Sequence, residues 1–252
     1  MYLSWIIPAL NEERRIEKTL REVDAYLRSK NFSVGYEIIV VDSSSKDRTE
    51  EIVLGLRKDI ANLRLINLPR TGKGAAVRRG LLESIGDYRI FSDADNSTAP
   101  EYFDAMERML KQGFDVVISS RNPKDVAGAT RDIKEPWYRE ILGNLGNMVI
   151  QIFGVWGIWD TQNGFKACTK KAAEDIFSRA KMTGFSFDIE MLALARKLGY
   201  SIGIIPIRWK FDPDSKVTLG AYIKVFMDVF KIRWNLMTGV YNVKFKNQNV
   251  KC

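Results

Sequence analysis

The strongest constraint on this chain is an alternation of short β-rich runs with stretches of helical periodicity. Residues 3–7, 36–41, 63–68, 88–91 and 115–119 are dense in Val, Ile, Leu, Tyr and Phe, the residues that suit a pleated, buried strand. Between them lie helical patterns at 11–28, 49–58, 73–84 and 100–112. In the first of these, Ile16, Leu20, Val23 and Leu27 recur three or four residues apart and define one apolar face. Strands separated by helices of this length predict βαβ crossovers and a mostly parallel sheet flanked by helices, an α/β fold. In such sheets ligands collect beyond the carboxyl ends of the strands, so the chemistry is expected where these runs stop.

Three of those ends are acidic. After the first run comes Pro8-Ala9-Leu10-Asn11-Glu12-Glu13, after the second Asp42-Ser43-Ser44-Ser45-Lys46-Asp47-Arg48-Thr49, and after the fourth Ser92-Asp93-Ala94-Asp95-Asn96-Ser97-Thr98. Carboxylates there can accept from a ribose diol or a base edge and can ligate a hard divalent cation. The competing role is helix capping, which Asp, Ser and Asn also favour, and for Asp47 both remain open. After the third run, Arg70-Thr71-Gly72-Lys73-Gly74 continues to Arg78 and Gly80. Small residues allow close backbone approach, and Lys73 and Arg78 can meet phosphate, but the P-loop spacing is missing.

The chain of 252 residues contains no histidine. A Ser-His-Asp triad, a Cys-His pair and a His general base are therefore excluded, and catalysis must rest on carboxylates, Lys, Arg and bound cations. The formal charge is +8. A nucleic-acid partner would explain that charge but not the acidic strand ends, which would repel phosphate without a bound cation; none is expected. Cys168 and Cys252 lie too far apart for a disulfide framework or a zinc site, and the first residues lack a signal-peptide pattern. The expected location is the cytoplasmic side.

Taken together, Pro8, Asn11 and Glu12, the segment from Val41-Asp42 to Asp47-Arg48-Thr49, Gly72-Lys73-Gly74 with Arg78 and Gly80, and Asp93-Ala94-Asp95 resemble family 2 glycosyltransferases of the GT-A fold. The likeness extends through Ser120-Arg121, Trp137 with Arg139, residues 160–166, Phe187-Asp188-Ile189-Glu190 and Ser215-Lys216. Within the family it is nearest the polyprenyl-phosphate sugar synthases, and the D-T-Q-x-G-F-K, F-D-x-E and D-A-D-x-x-T patterns are most similar to dolichyl-phosphate β-glucosyltransferases. Departures are Ser43 and Ser44 in the aspartate-rich loop and Ser97 where relatives carry Gln.

The resemblance implies metal-dependent, inverting transfer of a hexose, with glucose from UDP-glucose as the expected donor and GDP-mannose or UDP-GlcNAc as alternatives. The implied acceptor is a polyprenyl or dolichyl monophosphate. Its second pKa of about 6 leaves it largely dianionic at pH 7, so no base has to activate it. What remains is charge stabilisation by Mg²⁺ or Mn²⁺ and by basic side chains. The resemblance assigns Asp95 to the metal, with Asp93 beside the metal or the ribose. It assigns Pro8, Asn11, Glu12, Asp42, Lys73 and Gln162 to the nucleotide sugar, and Ser215 and Lys216 to a loop closing over the diphosphate. Arg121 and Arg139 are expected at the acceptor phosphate, and Asp188 is expected to orient the acceptor or a neighbouring Arg. Two alternatives stay open: a GT-A enzyme with a hydroxyl acceptor and Asp188 as base, and a sugar-phosphate nucleotidyltransferase, whose glycine-rich loop should follow the first run but is absent there.

Two segments suggest a membrane surface. Residues 141–159 carry no charge, with Asn144, Asn147 and Gln151 opposite a stripe of Ile141, Leu145, Met148, Ile152 and Trp156. In the last segment Leu219, Tyr222, Ile223, Phe226, Phe230, Trp234 and Met237 form one face, while Lys224, Asp228, Lys231 and Asn235 form the other. Seven basic residues and one acid follow from Lys216 onward. The expectation is a catalytic domain over 1–217 and a basic amphipathic tail over 218–252 that lies on an anionic membrane without crossing it. Core packing or a contact between copies in a homo-oligomer is the alternative for each helix.

Overall fold

The computed structural model describes residues 2–30, 35–131, 146–209 and 219–242. Seven strands form the central sheet: β1 (Leu3–Ala9), β2 (Tyr36–Asp42), β3 (Leu63–Asn67), β4 (Tyr88–Phe91), β5 (Val116–Ser120), β7 (Lys166–Thr169) and β8 (Ile202–Pro206). Their order is β3-β2-β1-β4-β7-β5-β8, and every pairing is parallel except those of β7, which runs antiparallel between β4 and β5. Two residues each of β6 (Thr130–Arg131) and β9 (Arg208–Trp209) form a separate parallel pair.

The period of two along the strands sorts the core into two layers. On one face Trp5, Ile7, Ile38 and Val40 pack with α1 (Ile16–Ser29), α2 (Thr49–Leu56) and α4 (Phe103–Lys111). The Trp5 ring meets Tyr26, Phe103 and Phe165 edge-on at 5.7–6.2 Å, the favoured geometry for aromatic quadrupoles. On the other face Ile6, Ile39, Val41 and Phe91 pack with α3 (Lys73–Glu83), α5 (Lys170–Phe177), α6 (Phe187–Lys197) and α7 (Leu219–Thr238). Because both faces are covered, β1 is buried along its whole length, which is why it reads as an apolar run interrupted only by Ser4.

The first helix begins at Ile16 rather than at residue 11. Asn11 sits in the left-handed region (φ 55°), and Glu12 and Glu13 donate backbone N–H groups to Thr49 and Asp47 instead of entering a helix. The expected helix over 141–159 also stops early. Its described part ends in a π turn over Ile150–Gly154, after which Val155 is extended. The cause is Gln151: it is buried, accepts from Gly157 N at 2.7 Å and donates to Ile158 O at 2.5 Å, so its side chain caps the returning strand of chain. Of its polar stripe, Asn147 and Gln151 bond inward to the Trp159 and Ile158 carbonyls, leaving Met148, Ile152 and Trp156 at 51–74% exposure, while Ile141, Asn144 and Leu145 lie outside the described residues.

The last helix has the same inside-out character. Val229 and Ile232 enter the core, Asp228 accepts from Ser186, and Asn235 is buried. Ile223, Phe226, Phe230, Trp234 and Met237 point outward at 41–68% exposure, and Phe230 lies 4.9 Å from Phe153 of the π turn. The two segments thus share one exposed apolar surface. The 217/218 boundary lies outside the described residues.

Candidate active site

Strands β2 and β3 lie on one side of β1 and β4 lies on the other, so the connections diverge between β1 and β4 and leave a crevice at their carboxyl ends. The turn after β4 fills this crevice. Thr19 of α1 donates to Ala94 O at 2.7 Å, and Ser97 N donates to the Asp95 carboxylate at 2.9 Å. These bonds fix the turn so that Asp93 and Asp95 both face the same space. Burial, and then the neighbouring Asp93 charge, hold the Asp95 carboxyl above its ordinary value.

Lys73, at the first position of α3, reaches across to Asp93 with Nζ···Oδ1 at 2.5 Å. Burial alone would lower this lysine, but the carboxylates of Asp93 and Asp188 outweigh it and hold Lys73 above the usual lysine value. The helix can start there because Gly74 lacks a side chain: a Cβ would stand 2.6 Å from Phe187 Cβ and 2.8 Å from the Gly184 carbonyl oxygen. The glycines therefore press the α3 N-terminus against the segment before α6.

The antiparallel direction of β7 brings its first residue, Lys166, to the same carboxyl edge, paired with Phe91 and Ile118. Its ammonium is completely buried, donates to Asp188 and to the Asn163 carbonyl, and lies 5.6 Å from the Phe91 ring. Burial pushes Lys166 down and Asp188 up, each partner's opposite charge resisting. Asp188 was expected to serve an acceptor or an arginine; its partner here is Lys166, a residue that the motif contained but sequence reasoning left without a role. Gly164 precedes it, and a Cβ there would collide with the Asp93 carboxylate. Gly164→Ala is accordingly expected to displace Asp93 and lower turnover by about tenfold or more while secondary structure by circular dichroism is retained.

The loops after β1 and β2 lock together. Asn11 accepts from Lys46 N at 2.8 Å and donates its own N–H to Ser45 Oγ, and the buried Asp42 accepts from Ser45 N at 2.9 Å. Pro8 is buried in β1 opposite Val41, and Glu12 forms an ion pair with Arg15 at 2.7 Å. Asp47 ties the two loops to the start of α2: its carboxylate accepts from Thr49 N at 3.0 Å and Glu13 N at 3.1 Å. Burial opposes ionisation there, but these hydrogen bonds prevail and hold it below its usual value.

Arg121, just after β5, is held in a fork by Asp160, with Nε···Oδ2 at 2.8 Å and Nη2···Oδ1 at 2.7 Å. Asp125 in turn accepts from the Asp160 and Trp159 backbone N–H groups. Gln162 is exposed and donates its side-chain amide to the Phe185 carbonyl at 3.4 Å. The fold thus brings Lys73, Asp93, Asp95, Lys166 and Asp188 into one cluster. Arg139, Ser215 and Lys216 lie outside the described residues. Glu190 is separate from the cluster: it is buried, accepting from Lys181 N, Met182 N and the Tyr241 hydroxyl, and it anchors the segment that supports α3.

The model of one family, glycosyl transferase family 2, matches residues 4–177 of this sequence. The chain belongs to that family. Among curated relatives of this family 2 glycosyltransferase is a dolichyl-phosphate β-glucosyltransferase of Trichomonas vaginalis, 36% identical over 98% of this chain and 75% of the relative. Another, from Dictyostelium discoideum, is 33% identical over 97% of this chain and 77% of its own length. The fold is GT-A. A glucosyl-3-phosphoglycerate synthase from Mycobacterium tuberculosis, solved with Mn²⁺, UDP and glucosyl-3-phosphoglycerate, superposes with a TM-score of 0.64 at 18% identity, over 97% of this chain and 81% of that one. In this glycosyltransferase the neighbouring Asp93 and Asp95 carboxylates are oxygen donors of the kind a hard divalent cation takes. Among the described residues no set of three or more His, Cys, Asp or Glu side chains is arranged so that it could hold a metal ion, so Asp93 and Asp95 are the two protein donors on offer.

Proposed function

We propose that this glycosyltransferase moves glucose from UDP-glucose to a polyprenyl or dolichyl monophosphate with inversion, at the cytoplasmic face of a membrane. The observation that carries this is the contiguity of two surfaces. The acidic turn after β4 faces Lys73, whose helix rests on the segment that also bears Phe185 and Ser186. Ser186 is bonded to α7, whose outer face is apolar. A charged donor site beside an apolar surface suits a substrate pair of one water-soluble anion and one lipid. The names of the curated relatives support the same acceptor.

Asp95 and Asp93 would hold Mg²⁺ or Mn²⁺ through their carboxylate oxygens. When bound, the cation neutralises charge on the departing diphosphate. The protein's own residues position the reactants. Asn11, Glu12, Asp42 and Pro8 shape the nucleotide end, Gln162 stands by the sugar, and Lys73 meets the diphosphate together with Ser215 and Lys216. Arg121 and Arg139 serve the acceptor phosphate, Arg121 with its guanidinium pre-set by Asp160. Asp188, enclosed with Lys166, positions rather than deprotonates, since a phosphate dianion attacks unaided. Assaying UDP-glucose, GDP-mannose and UDP-GlcNAc side by side with polyprenyl phosphate tests donor choice; preference for either of the latter two overturns the glucose assignment. Arg139→Ala is expected to raise the KM for polyprenyl phosphate far more than that for the nucleotide sugar; movement of the donor KM alone would place Arg139 at the donor.

No helix among the described residues is long and apolar enough to cross a membrane. The exposed faces of α7 and the π turn instead lie on the lipid surface, flanked by the exposed Lys231 and Arg233. Changing Lys224, Lys231 and Arg233 to Gln should weaken association with anionic vesicles by up to about 1 kcal/mol per charge, and added salt should imitate the change. If wild-type protein ignores vesicles, the apolar face is a contact between copies of the chain.

A further inference from the structure

We infer that Lys73 is a built-in counter-ion that occupies the Asp93 carboxylate until a divalent cation replaces it, so that donor binding requires an exchange of cations rather than a simple addition. This inference rests on the cation site proposed above, and it assigns Lys73 a role before the diphosphate arrives.

The charges of the cluster motivate it. Among the described residues, Asp93, Asp95 and Asp188 face two ammonium groups, those of Lys73 and Lys166. The two lysines are not equivalent. Lys166 is fixed in a strand, wholly buried and bonded to both Asp188 and the Asn163 carbonyl, so it cannot leave without stranding a charge. Lys73 keeps 22% of its side chain exposed and follows Gly72 at φ 104°, and its Asp93 partner is 33% exposed. It is therefore the cation that can swing.

Its displacement also has somewhere to go. Asp188 also acts on Lys73 electrostatically, so the ammonium keeps a second carboxylate nearby when it leaves Asp93. A cation taking Asp93 would release the Lys73 ammonium toward the incoming diphosphate, so that nucleotide and cation each favour the other's arrival. The collision awaiting any Cβ at residue 164 shows that the Asp93 carboxylate lies tight against the Gly164 backbone, which restricts its own movement. The exchange therefore happens through the lysine, not through the aspartate.

The test is Mn²⁺ binding without nucleotide, read from the free-ion signal in electron paramagnetic resonance, for wild type, Lys73→Met and Lys73→Arg. Lys73→Met is expected to bind Mn²⁺ about tenfold more tightly than wild type because the competing charge is gone, whereas Lys73→Arg keeps the wild-type affinity. Thermal melting establishes that each variant is folded, and Lys73→Gln substitutes for the Met variant if that one is not. Equal or weaker Mn²⁺ binding by the folded neutral variant overturns the exchange. A wild type that binds no Mn²⁺ even with UDP present overturns the cation site itself, a different result from wild-type binding that is indifferent to residue 73.

Discussion

Asp95→Ala is expected to reduce sugar transfer by about three orders of magnitude while moving the melting temperature by no more than about 3 °C. The two halves of this expectation have separate causes. The Asp95 carboxylate accepts one backbone hydrogen bond, from Ser97, and burial already disfavours its charge, so the fold loses little when it is removed. The Ala94 carbonyl still anchors the turn through Thr19, so Asp93 stays where it is. What disappears is half of the donor set facing the crevice. Activity near wild type in saturating Mg²⁺ or Mn²⁺ would remove Asp95 from the site.

The second large effect is expected at Lys166. Replacing it with Met leaves the Asp188 carboxylate buried without its cation, a change that costs about 3–5 kcal/mol of stability. The pH dependence has a definite sign. Burial raises Asp188 in the folded protein, so the folded state holds the proton more firmly than the unfolded one. The loss should therefore be smallest at or below the ordinary carboxylate range near pH 4 and grow as pH rises through the raised folded value. Adding Asp188→Asn to Lys166→Met should recover most of the stability, because a buried pair is costly to break but inexpensive to remove whole. Transfer should not recover. Urea unfolding at pH 5 and pH 8 decides the matter: a Lys166→Met variant with wild-type stability at both values would show that the pair is not the internal tie described here.

The legible part of this molecule is the part governed by local pattern. The near-continuous apolar runs of β1 and β2 and the apolar stripe of α1 are readable because each residue's environment follows from its own neighbours in sequence. The crevice residues Lys73, Asp93 and Asp95 are also accessible, since parallel strands bring their loops to one edge. Strand β7 is not. It has four residues, begins with a charge, and takes its place between β4 and β5 by a pairing that no local signal dictates. The role of Lys166 was hidden with it. A lysine set among Phe165, Ala167 and Cys168 is nevertheless a clue, because an ammonium in such a run needs a buried carboxylate partner.

The segment over 141–159 misleads for a related reason. Its helical spacing is real, but the side chain of Gln151 ends the helix through bonds to Gly157 and Ile158, and such capping across a turn leaves no periodic trace. Asp47 illustrates the same ambiguity in reverse. Nothing in its loop foretells that it joins two loops until Glu13 and Thr49 are seen to donate to it.

The central claim is transfer to a lipid phosphate, and the most direct measurement follows radiolabelled glucose from UDP-glucose in the presence of Mg²⁺ or Mn²⁺. With polyprenyl phosphate, label should enter an organic-extractable product that mild acid releases. With the corresponding polyprenol, which offers a hydroxyl in place of the phosphate, no such product should form. Label entering the lipid fraction equally from the polyprenol, or passing only to a water-soluble acceptor, would contradict the account and return Asp188 to the role of base.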